Sequence, residues 1–362
     1  MIPENGPWSA KWTKAIYFWN VPIVFRDRLY HVDKPCENGR QRDWFIEVWF
    51  DRKVVPVWLM SQSFQTSGTS VTLSSLSPSW NNANNTVEGI GGGGSGGAAQ
   101  QSTSNIGMGA GGGEYREIAN FTDPGGATPM TIGQGGAARA LTTGGGNQAT
   151  SGQDGTDTTW NTSSLIAVGG KGGLALATNS ATQLGGLGGT GGTGASANND
   201  GGRGGNYSAT TRGATGGGGA GGPNGPGGHG QDVGIGVSTG GQGDGTSGGL
   251  GGSPGSSTAG PAGADGTELG DSVHGCGGGG ASGYNSGSNS AISGGQGGLY
   301  GGGGAGAANS GSGNNSGTRA TSGAGRNGII VLTWTAGTFT WQDLGMNDAG
   351  DLQRPRIILL GY

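Results

Sequence analysis

Leu184-Gly-Gly-Leu187-Gly-Gly-Thr190-Gly-Gly-Thr193-Gly puts a side chain at every third position and bare backbone at the other two. The same period returns in Asp200-Gly-Gly-Arg203-Gly-Gly-Asn206 and in Ser293-Gly-Gly-Gln296-Gly-Gly-Leu299. Three residues per turn is the repeat of the extended left-handed helix that makes no internal hydrogen bonds. In such a helix an x-Gly-Gly triplet sends its side chains along one edge and leaves two edges as backbone. Bare edges let neighbours approach closely, and each amide that leaves water needs a partner on an adjacent helix. Decorated triplets therefore suit the outside of a bundle. Runs of four glycines, such as 216–219, 277–280 and 301–304, suit positions enclosed on all sides.

Glycine accounts for 92 of the 362 residues and is concentrated between 91 and 328, so side chains can supply little core there. Glycine also loses more backbone entropy on folding than any other residue, which leaves backbone hydrogen bonds and close backbone contact to hold the region. A flexible Gly/Ser linker is the competing reading of such composition, and the local period of three weighs against it. Collagen needs glycine at every third position without interruption. Only 255–270 approaches that, and its register fails between Gly255 and Gly260. The many GxGxxG-like strings lack the strand-turn-helix setting of a nucleotide fingerprint.

Charged residues are 11% of the chain and the formal net charge is -4, too mild to imply a polyanion partner. The early basic residues are interleaved with acids, unlike a one-sided nucleic-acid surface. Cys36 and Cys276 have no CxxC spacing and read as free thiols, which suits assembly in a reducing cytoplasm. No signal-peptide pattern opens the sequence, and no apolar run approaches the ~20 residues of a membrane span.

Composition divides the chain into four parts. Residues 1–60 read as a small aromatic-rich β domain, with Trp8, Trp12, Trp19, Trp44, Trp49 and Trp58 among many aromatics. These either close a compact core or meet another chain. Residues 61–85 form a connecting strand and turn. Residues 86–335 are the glycine-rich module, and 336–362 a docking tail ending in Ile357-Ile358-Leu359-Leu360. Thr86–Ile90 reads as a strand and Gly328–Trp334 is the strongest strand signal; both are expected in one small sheet, so that the module begins and ends on one side. Tyr115–Phe121 and Met130–Ile132 are candidates for the same sheet. The fold class expected is thus mostly irregular and β: an aromatic-rich β domain, then packed polyglycine II-type helices closed by a small sheet.

No catalytic constellation emerges. His31, His229 and His274 lack metal-ligand companions, and Asp265, Glu268 and Asp271 read as a solvated loop rather than a calcium or catalytic site. Neither a cofactor nor a metal is expected, and the reading is non-enzymatic. Longer interruptions at 195–200, 207–215, 231–239, 265–274 and 282–292 read as turns gathered at the two ends of the bundle. Turns on a rigid scaffold are where binding residues accumulate, and Tyr with Asn and Ser is the chemistry of recognition loops. Tyr207, His274, Tyr284, Asn285 and Tyr300 are the candidates for receptor contact. Capping of the bundle accounts for each tyrosine equally well.

The run Ser79-Trp80-Asn81-Asn82-Ala83-Asn84-Asn85-Thr86-Val87-Glu88-Gly89-Ile90, followed by four glycines, resembles the opening of glycine-rich tail proteins of bacteriophages and prophages. Gly-Gly-Gly-Glu114-Tyr115-Arg116, Trp160-Asn161-Thr162-Ser163-Ser164-Leu165, Gly-Gly-Pro223-Asn224-Gly, Gly-Leu299-Tyr300-Gly-Gly-Gly-Gly and Gly-Ile329-Ile330-Val331 follow in the same order. The resemblance spans about 69–334. It implies a virion tail component assembled in the host cytoplasm, a tail fibre or distal adhesin. Its implied partners are other tail proteins and a bacterial surface glycan or outer-membrane protein, and it allows a homo-oligomer such as a trimer. The six tryptophans of 1–60 would then attach the chain to the particle. A structural tail spacer and an ice-binding protein built of similar helices are the alternatives.

Overall fold

The computed structural model describes residues 60–335 apart from 77–79, 102–105, 142–147, 177–182, 208–212, 233–237, 246, 254–258, 272, 284–290 and 311–319. Before residue 60 it describes the backbone of four strands. The chain divides into two compact units, Met1–Leu59 with Gly337–Tyr362, and Met60–Ala336. In the first, Ala15–Phe18 pairs antiparallel with Val21–Val24, and Leu29–Cys36 with Gly39–Ile46. Trp44 stands opposite His31 in the second pair. Trp8, Trp12, Trp19, Trp49, Trp58 and the 336–362 tail lie outside the described residues.

The described part of the second unit is mostly β, with no α-helix; its one helical turn is Leu73–Ser75. One end is a pair of stacked antiparallel sheets. The first has the order Ala197–Asn199, Tyr115–Ala119, Asn85–Ile90, Ile329–Thr335, Met60–Gln65. Ile329–Thr335 is made wholly of apolar or β-branched residues, and it takes a central place between Asn85–Ile90 and Met60–Gln65. Thr335 faces Met60, so the unit begins and ends on the same side. Tyr115–Ala119 joins this sheet as expected. Ala127–Thr131 does not: it pairs with Ser70–Thr72 and Thr158–Trp160 in the second sheet, which Leu165–Ala167 completes. The expected connector 61–85 thus contributes strands to both sheets.

Alternation along these strands builds two cores. Val87, Ile330, Leu332 and Trp334 face the second sheet and pack with Leu73, Met130, Trp160 and Leu165. Phe121 meets the Trp160 ring edge-on at 5.6 Å. Ile90, Tyr115, Ile329 and Val331, on the opposite face, pack with Leu269, Cys276 and Tyr300. Burial of each large apolar side chain here contributes about 1.5–3 kcal/mol.

The other end carries two small sheets. Gln148–Thr150, Ala98–Gln101, Ala307–Ser310 and Ala291–Ile292 form one, and Ala175–Leu176, Ile106–Gly107 and Gly213–Ala214 the other. Between the two ends run extended glycine-rich segments outside any sheet. Segment 91–97 leads from Asn85–Ile90 to Ala98–Gln101, and 108–114 returns from Ile106–Gly107 to Tyr115–Ala119.

Each interior segment hands its amides in rotation to three neighbours. Gly91, Gly94 and Gly97 donate to the carbonyls of Glu114, Gly111 and Met108. Gly92 and Ser95 donate to Thr156 and Gln153, and Gly93 and Gly96 to Arg326 and Gly323, all at 2.8–3.0 Å. The carbonyls of 92–97 in turn accept from three further segments, through Gly170 and Gly173, Gly136, and Gly304 and Ala307. Segments 108–114, 216–221, 277–281 and 301–306 repeat the scheme, each bonded to several others. They are buried along their length, whereas Leu184, Leu187, Thr190 and Gln296 of the decorated triplets are exposed. Glycine is dictated by the spacing: a Cβ at Gly279 would collide with the Gly217 carbonyl, and one at Gly112 with the Gly219 carbonyl. At Gly301, where the chain turns from one segment into the next, φ is +77°.

Candidate functional site

The interruptions fall at opposite ends. Residues 195–200 supply the edge strand Ala197–Asn199 of the five-stranded sheet, and 265–274 bring Leu269 and His274 to the same end. The described flanks of 207–215, 231–239 and 282–292 lie at the other. There Tyr207 pairs with Gln183, Ala259 with Ser293 and Ala140 with Thr321, and Ser282 donates to the Ser238 carbonyl. With the two small sheets, these contacts gather the flanks of eight connections, 102–105, 142–147, 177–182, 208–212, 233–237, 254–258, 284–290 and 311–319. All eight therefore start and finish at the end opposite Met60 and Thr335.

The expected contact residues separate accordingly. Tyr284 and Asn285 lie within one of those connections, outside the described residues. Tyr207 is at that end but only 1% exposed, packed with Ile106 and Met108. His274 and Tyr300 are brought together at the sheet end, their rings 5.7 Å apart, and His274 also stacks on Phe64 at 4.2 Å. The His274 Nδ1 lies 2.6 Å from Asp271 Oδ2. Burial raises the Tyr300 hydroxyl, with help from the charges of Asp265 and Asp271.

Beside this stack, Glu88 and Glu117 face each other across paired strands, and the Tyr115 hydroxyl reaches both, at 2.7 and 3.2 Å. Burial raises the Glu88 carboxyl to about 6; the Tyr115 hydrogen bond opposes that shift and the Glu117 charge adds to it. Burial likewise raises Tyr115, aided by Glu88. Cys276 is a free, fully buried thiol, raised by burial and then by Glu268, so it is held protonated and is a poor nucleophile.

Sequence reasoning missed the work of the scattered polar residues. Several of them accept backbone amides with their side-chain oxygens, as a neighbouring carbonyl otherwise would. Asp154 and Asp157, three apart, accept the amides of Gly172 and Gly169, also three apart, at 2.8 and 2.9 Å. The buried Asp244 accepts from the amides of Asn224 and Gly225, and Glu114 from those of Val168 and Gly192. Asp265, Glu268 and Asp271, expected in a solvated loop, accept the amides of Leu299, Cys276 and His274 respectively. The signal available was spacing: acids repeating at the glycine period.

Among the described residues no group of three His, Cys, Asp or Glu side chains is placed to hold a metal ion. No helix among them is long and apolar enough to cross a membrane. No protein-family model matches the chain, and no curated protein is significantly similar to it.

Proposed function

We propose that the segments between 91 and 328 are polyglycine II-type helices, and that they form the scaffold of a bacteriophage tail-fibre or tail-tip adhesin. Amides given in rotation to three neighbours, and carbonyls that leave no room for a Cβ, support the helix assignment. At about 3.1 Å per residue, 91–97 spans about 20 Å from one end to the other. The observation that carries the functional reading is the segregation of ends. The chain joins the module at Met60 and Thr335, and the flanks of eight connections gather at the opposite pole. A rigid body that holds many bends away from its point of attachment is suited to touching a cell surface. Residues 1–60 attach it to the tail, and the partners are other tail proteins and a surface glycan or outer-membrane protein of the host.

Purified protein should compete with particles for adsorption to host cells. Unimpaired adsorption at saturating protein would leave the spacer reading in its place. The ice-binding alternative calls for a regular Thr/Ala face, whereas the outward positions here include Leu184, Leu187, Arg203 and Lys171. Absence of thermal hysteresis would dispose of it.

A further inference from the structure

A cleft of about 420 Å³ lies where the stacked sheets meet the glycine segments. The turn Thr66-Ser67-Gly68-Thr69, which leads from the first sheet to the second, lines one part of it. Met130, Thr131 and Ile132 line it from the end of strand Ala127–Thr131, and Gln134, Thr156 and Asn327 from three extended segments. Two contacts pin the turn. The Thr69 carbonyl accepts the Met130 amide at 2.8 Å. Gly68 has a φ of +103°, and a Cβ there would come within 3.1 Å of the Met130 methyl. Among the described residues no Asp, Glu, Lys, Arg or His lines the cleft, and seven of its ten lining side chains end in a hydroxyl or a neutral amide. Three of these are oriented by the backbone. Asn327 Oδ1 accepts the Gly135 amide at 2.9 Å, Thr156 Oγ1 accepts the Gln134 amide at 2.8 Å, and Gln134 Nε2 donates to the Ile132 carbonyl at 3.0 Å. Each keeps one group free among the described residues: the Asn327 Nδ2 donors, the Thr156 hydroxyl proton and the Gln134 Oε1 acceptor.

We propose that this cleft binds an uncharged saccharide unit. The site belongs to the sheet end, away from the bends at the opposite pole, and does not depend on the adhesin reading. Its volume falls within the range of small-molecule sites, about 300–1,000 Å³. Donors set beside acceptors match sugar hydroxyls, which act as both. Met130 and Ile132 add apolar surface suited to the C–H face of a pyranose ring. Side chains already held by backbone bonds lose little rotamer freedom when a ligand arrives. A charged sugar would leave water without meeting a counter-charge, which disfavours it. A free sugar and a unit of a glycan chain offer the same chemistry, and the choice of probes separates them.

The test follows isotope-labelled methionine methyl resonances of the full-length chain, with that of Met130 assigned through Met130→Leu. The neutral probes are the methyl glycosides of glucose, galactose, mannose, rhamnose and N-acetylglucosamine, and the polymers dextran, mannan and galactan. Glucuronate and glucosamine are the charged analogues. At least one neutral probe should move the Met130 methyl and leave that of Met108, buried against Tyr207, in place. Occupation by a polymer assigns a glycan as the source, and occupation by methyl glycosides alone a free sugar. Asn327→Asp keeps the acceptor for the Gly135 amide but removes the Nδ2 donors, and Thr131→Val removes an exposed hydroxyl at nearly constant shape. The double variant should weaken binding about tenfold or more, and Thr131→Val alone about threefold. Leu250→Ala, outside the cleft, should leave it within about twofold. Thermal unfolding checks that each variant is folded, and Thr131→Val decides the matter if the double variant is not. An unmoved Met130 methyl with every neutral probe, an equal shift with the charged analogues, or wild-type affinity in the folded variants would each overturn the proposal. Adsorption competition by the wild type bears on the adhesin reading alone, so the two can fail separately.

Discussion

The sheet end and the glycine segments of one module are solid for opposite reasons. At the sheet end Trp160, Leu165, Ile330 and Leu332 interlock, and the backbone is kept apart by the side chains between the layers. In the glycine segments the backbone itself is the packing material, and a carbonyl of one strand occupies the place where the next would carry a Cβ. The same physical demands, no voids and no unpaired amides, are met once with large residues and once with none. A methyl group therefore has opposite meanings in the two regions: removing one hurts the first, and adding one hurts the second.

The sharpest break is Gly279→Ala. The new Cβ meets the Gly217 backbone, which is itself bonded on several sides, so relaxation is blocked. We expect a loss above about 5 kcal/mol, in the exceptional range for one substitution, seen as failure to fold or a collapsed melting temperature. Trp160→Ala attacks the other region by leaving a cavity beside Phe121, and should cost about 3–5 kcal/mol in denaturant unfolding.

A smaller effect comes from Glu88. Its folded carboxyl titrates near 6 against an ordinary 4.5, so its protonated form is favoured in the folded state. The resulting stability is fully present below about pH 4.5 and is lost as pH rises through about 6, by at most about 2 kcal/mol. Glu88→Gln should raise the melting temperature at pH 8, leave it unchanged at pH 4, and flatten the profile between. A profile identical to wild type would mean the carboxyl is solvated. Smallest of all, Leu187→Ala lies on an outward edge and should change stability by no more than about 0.5 kcal/mol. A large loss there would mean that the decorated edge is packed against something.

Much of this contrast was written in the chain. The four-glycine runs at 216–219, 277–280 and 301–304 are the enclosed segments, and the triplets Leu184 to Thr190 show their side chains outward, because period and edge are linked by geometry. That Asn85–Ile90 and Ile329–Thr335 share a sheet was legible for another reason: both have residues that only a sheet would hide. The far-end strands were not. Ala98–Gln101 and Ala307–Ser310 have no β-forming sequence, and they pair because the segments feeding them are already in register. The burial of Tyr207 was not legible either. In a region without bulk, a lone aromatic ring is the nearest thing to a core, and Ile106 and Met108 close over it.

The pairing of Met60–Gln65 with Ile329–Thr335 has a mechanical consequence. A load applied at the far pole and held at both Met60 and Thr335 leaves the module along two adjoining strands. The cross-links between segments lie across the direction of such a pull, and sliding one segment past its neighbours would require many of them to rupture together. A body made largely of the smallest amino acid is thereby built to resist tension.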